Sequence, residues 1–241
     1  YTPSDAQHRD ARTLHAVYRL TDDRALLSVI QDQTAIARLD YRLKHGMVDA
    51  ARACGRVLLD YAGAQWVGVD TRTITQRMLD IMAADLATRP SAAMFWLGAV
   101  DEAKYGWPVG QGTQPWQASI VATQGLDSLW LTQRDKRARE WSLRLARQVV
   151  ELAFFQPAQR DWAHVYAIAW RNGEKPPASA LTGATNDTVY VDSAADYWDL
   201  ASAELLVRDE PDTDLGRKAA ALLAWRGKPR SWQEAQWRAV R

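Results

Sequence analysis

The stretch Thr13–Ile30, TLHAVYRLTDDRALLSVI, decides the fold. An apolar stripe at helical spacing runs through Leu14, Val17 and Tyr18 into Leu20-Thr21. A charged turn follows at Asp22-Asp23-Arg24, and a second stripe resumes through Leu26, Leu27 and Ile30. The phrase returns at Gly125–Ala146, GLDSLWLTQRDKRAREWSLRLA. Aligning Leu20-Thr21 with Leu131-Thr132 sets Tyr18 opposite Leu129 and Asp22-Asp23-Arg24 opposite Gln133-Arg134-Asp135. In that register Leu20 and Leu131 are expected to be buried at the end of a hairpin's first helix. Looser copies lie at Gly55–Ile74, GRVLLDYAGAQWVGVDTRTI, and Tyr197–Leu223, YWDLASAELLVRDEPDTDLGRKAAALL. A two-helix unit of this kind cannot bury its apolar face alone and must stack on others.

Working outward, a helix is expected from Ser4 to Arg19, and Asp22 or Thr21 is expected to cap the next one. Met47 to Tyr61 reads as a helix ended near Gly63, and Asp70 or Thr71 opens another that stops at Pro90. Residues 101–117, DEAKYGWPVGQGTQPWQ, break the periodicity and read as one long loop, a length that usually marks function or mobility. Ala118 to Leu131 and Arg137 to Phe155 form the next hairpin. Residues 162–170 alternate aromatic or polar with small side chains and lead into Asn172-Gly173. That pattern points to a strand, with a helix as the alternative given the alanines. A second short β segment is expected near 188–191. Asp192 then caps a helix through Leu200 and Leu205, paired with Leu215–Trp225. No shift in composition marks a boundary, so residues 1–241 read as a single helical-hairpin domain.

Composition narrows the function classes. The 30 basic and 29 acidic residues are interspersed, so the net charge of +1 provides no footprint for nucleic acid. No apolar run is long enough to span a bilayer. Cys54 is the single cysteine, which excludes a disulfide within the chain and any multi-cysteine metal cluster. No His/Asp/Glu spacing matches a metal site, and no Gly-rich phosphate loop or other cofactor motif is present. The chain begins at Tyr1, as a processed product or a piece of a longer protein would. It is rich in tryptophan, with 12 against 3 phenylalanines, and indole suits packed corners, interfaces and sugar-stacking platforms.

The hairpins at His8–Asp23, Asp49–Gln65, Pro115–Ala138 and Asp192–Glu210 resemble those of the α/α toroids. These are the incomplete barrels of six-hairpin glycosidases, polysaccharide lyases and related bacterial and phage proteins. The resemblance implies a mainly α fold of antiparallel hairpins stacked as a partial toroid, since about four hairpins fit this chain. It also implies two function classes. One is a non-catalytic scaffold or binding domain, a component of a larger assembly such as a phage virion or tail, with protein partners or a glycan as ligand. A virion or extracellular setting goes with it.

The other is a carbohydrate-active enzyme, a lyase or glycoside hydrolase. Toroid hydrolases use paired carboxylates, and Asp101 and Glu102 in the long loop are the candidates. Asp192, Asp196 and Asp199 share a helix face, but an N-cap and a solvated acidic first turn explain them as well. Toroid lyases need a base and a group that neutralises a uronate carboxylate, for which His164, Tyr166 and Arg171 are suited. Tyr105, Trp107, Trp116 and Trp170 are the expected binding aromatics, gathered on a surface cleft or partner interface. His15 reads as a helix-boundary residue. The absence of a complete catalytic set favours the scaffold class.

Overall fold

The computed structural model describes residues 12–40, 51–87, 110–113, 115–155, 163–164, 168–171 and 196–226. These residues are mainly α, as the periodicity predicts. In chain order they form α1 (Arg12–Thr21), α2 (Arg24–Asp40), α3 (Ala51–Trp66), α4 (Arg72–Ala87), β1 (Gly110–Thr113) and α5 (Pro115–Ser119). A π-helix (Ile120–Leu126) follows, then α6 (Asp127–Gln133), α7 (Lys136–Ala153), β2 (Phe154–Phe155), β3 (Ala163–His164), β4 (Ile168–Arg171), α8 (Asp196–Asp209) and α9 (Asp214–Arg226). The chain divides into two compact units, one of residues 1–90 and 120–142 and the other of residues 91–119 and 143–241.

In the first unit α3 is the central element, packed on α1, α2, the π-helix and α6. Its position follows from its composition. Val57, Leu58, Tyr61, Ala62 and Ala64 are all buried, and the free thiol of Cys54 lies among them. Ile30 of α2, with Ala64 and Val67, forms a buried cluster against which Leu14, Tyr18, Leu27, Trp66 and Val69 pack. The crossing of α3 with the π-helix is a glycine contact. A methyl at Gly55 would come within 2.8 Å of Ile120 Cγ2, and one at Gly125 within 3.1 Å of Gly55 Cα. Only hydrogen at both positions lets the two backbones approach this closely.

The repeated turn is real, but its register differs from the Leu-Thr alignment. α1 ends in Asp22, a left-handed residue at φ 51°, whose N–H donates to Tyr18 O at 2.7 Å. α6 ends in Arg134, left-handed at φ 58°, whose N–H donates to Trp130 O at 3.0 Å. Each is followed by an aspartate that caps the next helix. Asp23 Oδ1 accepts from Ala25 N–H at 2.8 Å, and Asp135 Oδ1 accepts from Arg137 N–H at 2.9 Å. Asp22 therefore matches Arg134 and Asp23 matches Asp135, one residue from the alignment on Leu-Thr. The two leucines are not equivalent: Leu131 is half-buried, whereas Leu20 is 86% exposed. The expectation that both are buried fails, because the conserved physical marker is the left-handed residue and its capping aspartate rather than the dipeptide before them.

Other boundaries differ for local reasons. Helix α2 is capped by Asp23, not by Asp22 or Thr21. Helix α3 continues through Gly63 to Trp66, because Gly63 is not a terminator but a seat for His15. A methyl at Gly63 would lie 2.2 Å from His15 Nδ1, and His15 is buried rather than at a boundary. Asp70 Oδ1 accepts from Arg72 N–H at the start of α4, as expected for one of the two cap candidates. The third hairpin's first helix starts at Pro115, not Ala118, and its middle is π rather than α. Every residue of the π-helix is buried, and Ser142 Oγ donates to its Ala122 carbonyl at 2.9 Å.

In the second unit α8 and α9 form a hairpin, and α5 packs on α8. A buried pair of serine hydroxyls, Ser119 and Ser202, lies 2.7 Å apart across that contact. At the α8–α9 turn Thr213 Oγ1 accepts from Gly216 N–H at 3.0 Å and caps α9. Two short antiparallel ladders complete the described part: β1 with β4, and β2 with β3. The alternating segment 162–170 is thus strand at 163–164 and again from 168, with each piece in a different ladder. The segment near 188–191 lies outside the described residues.

Candidate functional site

The β1–β4 ladder joins the two irregular segments singled out by the sequence. Gly110 pairs with Arg171, Gln111 with Trp170, Gly112 with Ala169 and Thr113 with Ile168. The glycine-rich end of the stretch expected as a loop therefore becomes a strand that registers against the end of the alternating segment. His164 lies in the other ladder, paired with Phe154 at the end of α7. Asp101, Glu102, Tyr105, Trp107 and Tyr166 lie outside the described residues, as do Asp187 and Asp192. Asp196 and Asp199 fall on α8, which begins at Asp196.

Trp116 departs from expectation. It was expected on a surface loop, but it sits in α5 with only 9% of its surface exposed. Proline at position 115 opens this helix, since the first helical residue needs no N–H partner. The same Pro-Trp pair that reads as loop punctuation is here a helix start.

The junction of α7 with β2, which carries Phe154 and so the β3 strand, is held by Lys218 of α9. Its Nζ donates to Phe154 O at 2.8 Å and to Glu151 O at 3.2 Å. Burial pushes this ammonium below the usual lysine range, against the attraction of Glu151. Nearby in sequence, Arg147 Nε donates to Glu210 Oε2 at 2.8 Å, and its terminal nitrogen meets Glu210 Oε1. That bidentate hydrogen bond to Glu210 holds the Arg147 guanidinium above its ordinary range.

In the first unit the polar groups form a latch between α4 and the α6–α7 turn. Thr75 Oγ1 donates to Gln133 Oε1 at 2.8 Å, and Gln133 Nε2 donates to Thr71 Oγ1 at 3.3 Å. Thr71 Oγ1 in turn donates to Tyr61 O at 2.8 Å. Gln76 Nε2 donates to Asp135 Oδ2, while Arg137 bonds Gln76 Oε1 and, at 2.7 Å, Asp80 Oδ1. Beneath this latch Arg139 Nη1 donates to Asp127 Oδ1 at 3.0 Å, with Asp127 fully buried. The sequence reading passed over this latch, although Asp135 as a helix cap just before Lys136 and Arg137 was visible in it.

Chemically these groups lock helices together. The described carboxylates Asp127, Asp135 and Glu210 are each engaged by arginine, glutamine or backbone N–H donors. Among the described residues no three His, Cys, Asp or Glu side chains are placed to hold a metal ion. No described helix is long and apolar enough to cross a membrane. No protein-family model, curated protein or solved structure matches the chain.

Proposed function

We propose that this chain is a non-catalytic helical scaffold or binding domain, a component of a larger assembly of the virion or tail kind, its hairpins stacked as a partial α/α toroid. The observation that carries this reading is the commitment of the polar groups described above to helix-to-helix locks, in particular the buried Asp127–Arg139 pair and the α4 latch. A rigid frame of this sort presents irregular segments to partners, which is where binding residues concentrate.

The β1–β4 ladder favours a second reading, a carbohydrate-contacting cleft with hydrolase or lyase activity. It joins the 101–117 and 162–172 segments at Gly110–Arg171 and Gln111–Trp170. The test is turnover. The purified chain, incubated with neutral and uronic-acid polysaccharides, is expected to release neither reducing ends nor unsaturated uronates. Release that disappears in His164→Ala or Asp101→Asn would replace the scaffold reading with the enzyme one. Glycan retention without turnover fits the scaffold reading with a glycan as partner.

A further inference from the structure

We propose that the α1–α2 hairpin is a self-association surface, which pairs two copies of this chain about a two-fold axis at the Leu20 turn. Three observations carry the proposal. Among the described residues, the large apolar side chains that stand exposed are Val17, Leu20 and Val29, all on this one hairpin. Isolated exposed leucines are ordinary, but confinement of all three to one hairpin is not scatter.

The second observation is the contrast between equivalent turns. The α6–α7 turn is docked, with Gln133, Asp135 and Arg137 all bonded to side chains of the α4 segment. The α1–α2 turn has the same left-handed residue and the same capping aspartate. Its printed bonds stay within the turn: Thr21 Oγ1 to Val17 O at 2.9 Å, Asp23 N–H to Thr21 Oγ1 at 3.4 Å, and Ala25 N–H to Asp23 Oδ1 at 2.8 Å. Where the docked turn carries Thr132, the undocked one carries Leu20, so its partner is an apolar surface rather than a polar helix start.

The third observation selects the occupant. Leu20 and Thr21 are bracketed by Arg19 and by Asp22, Asp23 and Arg24, all exposed. Two acidic and two basic residues around one leucine form a rim that complements itself when rotated by half a turn, the requirement of a two-fold interface. A strongly acidic or basic partner would meet like charges on this rim. A second copy meets opposite ones, and the face of α4 that receives a turn of this type is already taken by α6–α7 in each copy. The patch is small, so the pair belongs to the weak class, micromolar or weaker.

Sedimentation equilibrium of the full chain over a range from low micromolar to near-millimolar tests this. The expected result is a monomer–dimer equilibrium in which Leu20→Glu raises the dissociation constant by about tenfold or more, as for an interface anchor. Because Leu20 is 86% exposed, its melting curve should match that of the unsubstituted chain. Arg24→Glu, which makes the rim uniformly acidic, should weaken pairing as well. A chain that stays monomeric throughout overturns the proposal. So does a dimer indifferent to Leu20→Glu, or growth past two copies without closure. These outcomes leave the scaffold reading standing, since that rests on turnover and partner binding.

Discussion

Trp116→Ala is expected to destabilise the second unit by about 3–5 kcal/mol, the usual cost of emptying a buried tryptophan site. The indole is 9% exposed on a helix of five residues, all of them buried, so truncation leaves a void that a short helix cannot close. The loss should appear as a fall in the urea midpoint with little change in slope. Trp116→Phe should recover part of it. Ligand or partner binding weakened with the midpoint unmoved would return Trp116 to the binding surface that the sequence pattern assigned it.

Asp127→Ala is expected to cost about 3–5 kcal/mol, the range for removal of one partner from a buried ion pair. Asp127 is fully buried and the Arg139 side chain is 19% exposed. Without the carboxylate the guanidinium must either drag water inward or abandon its packing between α6 and α7. A fall in Tm of roughly 10 °C follows for a chain of this size. The control is the double variant Asp127→Ala with Arg139→Met, which removes the stranded charge and should regain much of the loss. A double variant no better than the single one would assign the cost to the cavity at Asp127 rather than to the orphaned arginine.

The helices were legible because their apolar stripes repeat every 3.6 residues and their starts carry acidic caps, as Asp70 does for α4. What escaped the sequence depends on neighbours distant in the chain. Gly63 reads as a terminator until His15 is seen to fill the space beside it. The π-helix has no periodic signature, since its place is set where Gly125 meets Gly55 across the crossing with α3. The repeat was recognised one residue out of register because Leu-Thr is conspicuous to the eye, whereas Asp23 and Asp135 carry the geometry. Of the candidate site, the approach of the 101–117 and 162–172 segments was legible as shared irregularity, and their β pairing bears this out at the backbone. The burial of Trp116 was not legible, because a proline at a helix start looks the same in sequence as a proline in a loop.

The lone cysteine has a practical consequence. Cys54 lies on α3 with none of its surface exposed, one residue from the Gly55 crossing. A thiol reagent can reach it only when α3 lifts from its neighbours, so labelling proceeds at the rate and frequency of that opening. The chain therefore carries its own clock for the first unit, readable by mass spectrometry without any engineered probe. Because the second unit has no cysteine, global melting and thiol labelling together would separate the opening of the first unit from that of the second.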